Sequence, residues 1–166
     1  ELKSFGVNIH YLGGETADVG DVVRTIAVNG TMTARWPKNR IVTNEKIQAG
    51  DVIVGFASAG KASWETEYNS GIASNGLTSA RHDVLGKFYA EKFKETYETS
   101  LPDEVVYIGK HRMTDTVPGA PLSVGKLLLS PTRTYAPLLK VLLQEYFHAI
   151  RGLIHCSGGG QTKCMK

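Results

Sequence analysis

Short apolar runs, each closed by glycine, proline or a polar turn, recur along the chain and predict β-strands. The run at 51–57 is apolar almost without interruption and is bounded by glycine, which is typical of a central strand buried on both faces of a sheet. The run at 21–34 is rich in β-branched residues, which favour extended backbone. The runs that we predict to be extended are 5–12, 21–34, 41–42, 51–57 and 149–154.

Two longer segments carry apolar residues at three- and four-residue spacings and predict amphipathic helices. The first, 77–99, begins after Ser74 and Asn75, either of which can cap it. The second, 134–147, has a leucine face that we expect in the core, and further helical segments are predicted at 121–129 and 161–166. The stretch 58–74 is predicted to be a long loop, and such loops are often functional lids or insertions.

The composition is that of an ordinary globular domain, with 166 residues, 42% of them hydrophobic and 21% charged. The net charge of +3 is spread over 19 basic and 16 acidic residues, so we expect no nucleic-acid partner. No apolar run is long enough to span a bilayer, and we expect a cytoplasmic protein without a membrane partner. Cys156 and Cys164 match neither a disulfide framework nor a CxxC site and are expected to be reduced thiols. The histidines that lack metal-ligand spacing, and that we interpret as structural or solvated, are His10, His82, His111 and His148.

A glycine pair, Gly13-Gly14, follows the first apolar run and stands beside the carboxylates of Glu15, Asp18 and Asp21. Bare backbone leaving a strand can present several N–H groups to an anion. Carboxylates suit a hard cation such as Mg²⁺, which in turn holds polyphosphate oxygens. The pair therefore predicts a nucleotide-side loop, while the plainer alternative is a hairpin turn with solvated acids.

A second glycine turn, at Gly158, Gly159 and Gly160, follows the run at 149–154 and has no acid nearby. Its backbone donors, with the hydroxyl of Ser157 and the imidazole of His155, suit a lone phosphate better than a metal. The alternative is a satisfied histidine at a strand end followed by a flexible turn. Three successive glycines cost more backbone entropy than a simple turn requires, which favours the phosphate site.

Four stretches in this order resemble the phosphoribosylformylglycinamidine cyclo-ligase family, also called aminoimidazole ribonucleotide synthetases. They are GGETA at 13–17, GDVIVG at 50–55 leading to SNGLTSAR at 74–81, LLSPTRTY at 128–135 and IHCSGGG at 154–160. The resemblance covers nearly the whole chain. It implies an ATP-dependent enzyme of purine biosynthesis that closes the ring of formylglycinamidine ribonucleotide to give aminoimidazole ribonucleotide, with Mg²⁺ as cofactor and a homodimer as the assembly.

The resemblance also implies the fold and its division. We expect an α+β fold, similar to an α/β sandwich, in which a mixed sheet is flanked by helices and is incomplete at both ends. Residues 1–40 correspond to the tail of the family's N-terminal ATP-binding domain and 41–166 to the front of its C-terminal α/β domain. The chain is therefore expected to be a fragment, inactive by itself.

The resemblance implies two groups of site residues. The loop on the nucleotide and magnesium side is Gly13, Gly14, Glu15, Thr16 and Asp18, with Glu15 as the metal ligand. The phosphate- or substrate-binding residues are Ser74, Asn75, His155, Ser157, Gly158, Gly159 and Gly160. Capping of the helix is the alternative for Ser74 and Asn75, and Thr132 and Arg133 can either hold a phosphate or mark an ordinary helix start.

The chain departs from the family pattern in places. Many relatives carry a histidine where Ala73 stands, and 64–70 looks like an insertion. Thr162, Lys163 and Cys164 replace the acidic and amide residues that often follow the glycines. The alternatives are another ATP-using enzyme of the same architecture (selenophosphate synthetase, thiamine phosphate kinase or formylglycinamidine ribonucleotide synthase) and a non-catalytic fragment that needs a partner chain.

Overall fold

The computed structural model describes residues 1–17 and 27–165. These residues fall into two compact units that interleave along the sequence. The first unit takes in Glu1–His10, Asn29–Phe56 and Thr134–Lys166, and the second Tyr11–Val28 and Ala57–Arg133, as far as those ranges are described. The expected boundary between residues 40 and 41 refers to the family's domains and stays a prediction.

The second unit is built on short helices around a small core. Its helices are α1 (Ala73–Val84), α2 (Phe88–Lys92) and α3 (Val124–Leu128), with 3-10 turns at Lys94–Thr96 and Asp103–Val105. The buried hydrophobic residues are Leu85, Val106, Tyr107, Val124 and Leu128. Apolar side chains of α1 and α2, among them Leu77 and Tyr89, pack against this cluster, so the periodicity of the first predicted helix does mark its buried face.

The single helix predicted at 77–99 is divided at Leu85 and Gly86. Leu85 is 1% exposed and leaves α1 with an extended ψ of 144°. Parallel bridges join Leu85 to His111 and Gly86 to Gly109, and the Gly109 N–H donates to the Leu85 carbonyl at 3.1 Å. The segment 109–111 forms hydrogen bonds with backbone groups that would otherwise bond within a continued helix. Helical structure resumes only at Phe88.

His82 is a buried polar residue of α1, with 8% of its surface exposed. Its Nδ1 accepts the backbone N–H of Tyr107 at 3.2 Å, which requires that this nitrogen carry no proton. Burial lowers the pKa of His82, and the positive charge of Arg81 lowers it further. The structural interpretation of this histidine is confirmed, and neutral imidazole is the form that fits the core.

We expect acid to weaken this part of the fold through His82. The folded-state pKa lies below the ordinary 6.5, so the contribution to stability is complete above about pH 6.5 and declines as the pH falls toward the folded value. His82→Asn keeps an acceptor and does not titrate, so its local stability should not change over this pH range. His82→Leu leaves the Tyr107 N–H without an acceptor and should cost about 1–3 kcal/mol at every pH. Amide exchange of Tyr107 in the full-length protein, measured between pH 5 and 8, distinguishes wild type from the two variants. An equal dependence of local stability on pH in wild type and His82→Asn would contradict the assignment.

The first unit contains α4 (Ala136–Glu145) and several 3-10 turns, at Leu2–Phe5, Lys38–Arg40, Asn44–Lys46, Phe147–Ala149 and Gly160–Met165. Arg40 donates to the Leu143 carbonyl and lies over the ring of Phe147, 4.7 Å from its centroid. The second predicted helix is confirmed, but its leucines are only half-buried and Pro137 is the buried residue of α4. Among the described helices, none combines the length and the apolar character that crossing a bilayer requires.

The predicted mixed sheet is wrong. Within 1–17 and 27–165 the chain forms isolated bridges and no strand. The run 51–57, expected to be a central strand, leaves Val52, Ile53 and Val54 exposed by 86%, 75% and 72%. Residues 5–12, 27–34, 41–42 and 149–154 also form no strand, while 18–26 lie outside the described residues. Apolar and β-branched residues favour extended backbone, but a strand also needs a neighbouring strand that takes up its ladder hydrogen bonds.

Candidate functional site

The start of α1 carries the Ser74-Asn75 motif. The helix begins at Ala73, whose φ of +60° is unusual for a residue with a side chain, and its N-cap residue makes no side-chain hydrogen bond. The prediction that Ser74 or Asn75 caps the helix is therefore wrong, because both lie inside the first turn. The cap comes from Thr132, whose Oγ1 accepts the Ser74 N–H at 3.2 Å and lies 3.3 Å from Ser74 Oγ. Thr132 thus satisfies an amide that α1 itself leaves open.

Two buried polar residues hold this corner together. Asn69 and Ser130 are 3% and 6% exposed. The Asn69 amide donates to the Pro131 carbonyl at 2.9 Å, and the Ser70 N–H donates to Ser130 Oγ at 3.0 Å. Sequence reasoning missed both, because Asn and Ser are ordinary loop residues; the available signal was that Ser130 belongs to the same motif as Thr132. These bonds set the distance between the loop before α1 and the segment after α3.

Arg133 forms a largely buried ion pair with Glu65, their side chains being 6% and 16% exposed. Its Nε and Nη2 donate to the two carboxylate oxygens at 2.8 and 2.7 Å, the bidentate geometry that suits guanidinium. It also donates to the carbonyls of Ala57, Ala59 and Gly60 at 2.7, 3.2 and 2.8 Å. The hydrogen bond from Arg133 lowers the pKa of Glu65. This ion pair is neither of the two sequence interpretations of Arg133, a phosphate contact or an ordinary helix start, and it gives the residue a role in the fold.

The first glycine loop lies in the second unit and is exposed throughout residues 11–17. Gly13 has a φ of +126°, which disfavours any residue with a β-carbon. A β-carbon at Gly14 would lie 3.1 Å from the Tyr11 hydroxyl, closer than ordinary packing allows. Gly13 is therefore explained by its backbone conformation, whereas the contact at Gly14 is with the end of an exposed tyrosine side chain that can move aside. The two glycines leave the backbone uncovered beside the exposed side chains of Glu15 and Thr16.

The donor set around Glu15 determines what kind of metal site is possible. Within the described ranges, no group of three or more His, Cys, Asp or Glu side chains gathers in one place. Asp18 and Asp21, which the sequence puts beside Glu15, lie outside those ranges. Mg²⁺ is commonly held by one or two carboxylates together with phosphate oxygens and water. Whether Glu15 holds Mg²⁺ together with a nucleotide stays a prediction.

The second glycine loop lies in the first unit. The Gly158 N–H donates to Ser157 Oγ at 2.6 Å, and the Gly160 N–H donates to the Ser157 carbonyl at 2.9 Å. Gly159 and Gly160 have φ of +84° and +55°, whereas a β-carbon at Gly158 would meet nothing within 4 Å. His155 is exposed beside them. A phosphate bound at this loop would have to replace these internal hydrogen bonds, with its oxygens accepting the loop amides in place of Ser157.

The predicted site residues fall in both compact units. The residues from Gly13 to Thr16, together with Ser74 and Asn75, belong to the second unit, and His155 to Gly160 belong to the first. The structure brings Ser74 together with Thr132, a pairing whose two members the sequence had marked separately. The assignment of these residues to nucleotide, phosphate or magnesium stays a prediction.

Comparison with known proteins identifies the class of protein. No family model matches the chain. The chain is 32% identical over 156 residues to a phosphoribosylformylglycinamidine cyclo-ligase of Methanocaldococcus jannaschii, covering 94% of this chain and 35% of the relative. It is 33% identical over 159 residues to the one of Pyrococcus horikoshii (95% and 35%) and 30% identical over 153 residues to the one of Thermoplasma acidophilum (92% and 35%). These relatives are enzymes, cyclo-ligases by name.

The resemblance drawn from the four motifs is confirmed. Over more than nine-tenths of its length the chain is similar to proteins named phosphoribosylformylglycinamidine cyclo-ligase. It spans about a third of the length of the curated relatives it matches, 35% in each of these three.

Proposed function

We propose that the protein containing this chain catalyses the ATP-dependent closure of formylglycinamidine ribonucleotide to aminoimidazole ribonucleotide, as a cytoplasmic homodimer. The observation that carries the proposal is the similarity to named cyclo-ligases over more than nine-tenths of the chain. The chain carries the four motifs in the order that the resemblance rests on, and these contain every residue of the candidate site except Asp18.

The reaction needs positioning and charge stabilisation more than a protein nucleophile. In the proposed sequence the γ-phosphoryl group of ATP is transferred to the formyl amide oxygen, with release of ADP. The amidine nitrogen then attacks the activated carbon, the carbon–oxygen bond breaks and phosphate leaves with its electron pair. Loss of a proton from nitrogen completes the aromatic ring.

The exposed backbone at Gly13 and Gly14 is suited to polyphosphate oxygens, and Glu15 to Mg²⁺ bound to them. Magnesium would neutralise charge on the transferring phosphoryl group. In this proposal Thr16 and Asp18 belong to the same nucleotide loop. The phosphate- or substrate-binding residues are Ser74, Asn75, His155, Ser157, Gly158, Gly159 and Gly160.

The competing hypotheses are supported less well. The similarity is to proteins named cyclo-ligases, which favours that reaction over those of selenophosphate synthetase, thiamine phosphate kinase or formylglycinamidine ribonucleotide synthase. A fragment that needs a further chain to fold receives support from the exposure of Val52, Ile53 and Val54. That observation concerns the folding of the isolated 166 residues. It does not change the activity that we propose for the full-length protein.

The test is a ring-closure assay on the full-length protein. Formylglycinamidine ribonucleotide and Mg²⁺–ATP are supplied, and the aromatic amine product and ADP are measured together. We expect one ADP for each ring closed and no product without ATP. The isolated residues 1–166, assayed in parallel, should be inactive. Absence of ring closure by a folded full-length protein, while one of the competing substrates is turned over, would overturn the proposal.

The phosphate role of the second glycine loop is tested by Gly158→Ala. A methyl group at this position has open space around it and no φ penalty, so the fold should be unaffected. The methyl would cover the amide surface that we assign to phosphate, and we expect KM for the ribonucleotide to rise about tenfold, equivalent to ~1.4 kcal/mol of binding. Gly30→Ala is the matched control, because position 30 is equally open and lies outside both loops. An unchanged KM in Gly158→Ala would remove this loop from the site.

A further inference from the structure

The only cysteines of the chain lie side by side at the second glycine loop. The Sγ atoms of Cys156 and Cys164 are 3.9 Å apart, although eight residues separate them in sequence. The 3-10 turn Gly160–Met165 folds the chain back after the glycines and brings Cys164 to Cys156. Both are free thiols; Cys156 is exposed and Cys164 partly so.

We propose that Cys156 and Cys164 form a reversible intramolecular disulfide that closes the glycine loop. The two sulfurs are in contact already, so only a small local movement is needed to bring them to bonding distance. The glycines between them supply backbone freedom for that movement. The exposure of Cys156 gives a soluble oxidant access to one member of the pair.

The chemistry is thiol–disulfide exchange with a small-molecule disulfide. The Cys156 thiolate attacks one sulfur of that disulfide and releases a first small thiolate. The Cys164 sulfur then attacks Cys156 in the mixed disulfide and releases the second. The two cysteines lose two electrons and two protons, which the two released thiols carry away. The hydrogen bond to Cys156 raises the pKa of Cys164, in agreement with Cys156 acting first.

The disulfide would fix residues 157–163 in a closed loop. In the structure the amides of Gly158 and Gly160 already donate to Ser157 within this loop. A covalent link between its ends restricts the conformations in which those bonds open. This inference stands on the thiol geometry alone and does not depend on the proposed reaction.

The test uses the full-length protein equilibrated with mixtures of reduced and oxidised glutathione, followed by alkylation, trypsin digestion and mass spectrometry. Trypsin cleaves after Arg151, Lys163 and Lys166, so the two cysteines appear in different peptides, 152–163 and 164–166. We expect these peptides to be joined by a disulfide in the oxidised protein and separately alkylated after reduction. In Cys164→Ser, Cys156 should carry glutathione at a level about tenfold above that in wild type, because the neighbouring thiol that resolves the mixed disulfide is gone.

Two outcomes would overturn the proposal. One is that both cysteines of the wild type carry glutathione to the same extent as the single variants, with no joined peptide at any redox ratio. The other is that either cysteine is joined to a cysteine elsewhere in the protein in preference to its neighbour. Cys156→Ser serves as the second control, since Cys164 alone cannot yield the joined peptide. The readout is the linkage itself, so it is independent of any loss of enzymatic activity.

Discussion

Replacing Arg133 by methionine should destabilise the second unit by about 3–5 kcal/mol. Methionine retains much of the apolar stem but leaves the Glu65 carboxylate, 16% exposed, without its cation. It also removes the donors for the carbonyls of Ala57, Ala59 and Gly60. The measurement is urea unfolding of the full-length protein, with amide exchange of residues 57–72 as the local readout.

The controls separate charge from geometry. Arg133→Lys keeps the charge but not the planar fork, and we expect an intermediate loss. Adding Glu65→Leu to Arg133→Met removes the unpaired carboxylate and should restore part of the lost stability. The pKa of Glu65 is lowered by Arg133, so the contribution of the pair is present above about pH 4.5 and is lost as the pH falls through the lower folded value. A variant Arg133→Met as stable as wild type at pH 7 would contradict the structural role of the pair.

Replacing Gly109 by alanine should cost at least ~3 kcal/mol. A β-carbon there would collide with the backbone of Val84 and lie 2.5 Å from the Asp83 carbonyl, where no side chain can rotate away. The residue also belongs to the bridge with Gly86 that ends α1. Thermal and urea unfolding of the full-length protein measure the loss.

Gly76→Ala is the matched control for this prediction. Position 76 lies inside α1, and its new methyl would meet the Ile72 side chain at an ordinary 3.6 Å. Alanine is a better helix former than glycine, so we expect a gain of about 0.5–1 kcal/mol. The same chemical change should therefore have opposite signs at the two positions. A loss of similar size at both would show that the crossing of 109 over α1 is not the cause.

The helices were largely predictable from sequence, whereas the extended segments were not. Leucine spacing located α4, because helical periodicity is a property of a single segment. The end of α1 at Val84 was not predictable, since it depends on backbone bonds to residues 108–111, remote in sequence. The composition of the run 51–57 favours a strand, but a sheet forms only when a second segment lies beside the first and takes up its hydrogen bonds.

In the candidate site, too, the motifs were predictable from the sequence but the contacts between them were not. The motifs that contain Ser74 and Thr132 were visible in the sequence as separate signals. Their contact across the start of α1 was not, because it depends on the fold that Asn69 and Ser130 fix. The partner of Arg133 was equally hidden, because Glu65 is one of two acids in a long loop and lies 68 residues away in sequence. The proximity of Cys156 and Cys164 was not predictable either, because it depends on the 3-10 turn that folds the chain back after the glycines.

The anchoring of the loop before α1 by Arg133 determines how easily that loop can move. The guanidinium binds the loop at Glu65 and at three carbonyls, so swinging that segment outward would break the whole set together. If opening costs even about 3 kcal/mol, fewer than about one molecule in a hundred has it open at any moment. The loop bound by Arg133 therefore stays in place as a fixed part of the second unit in nearly all molecules.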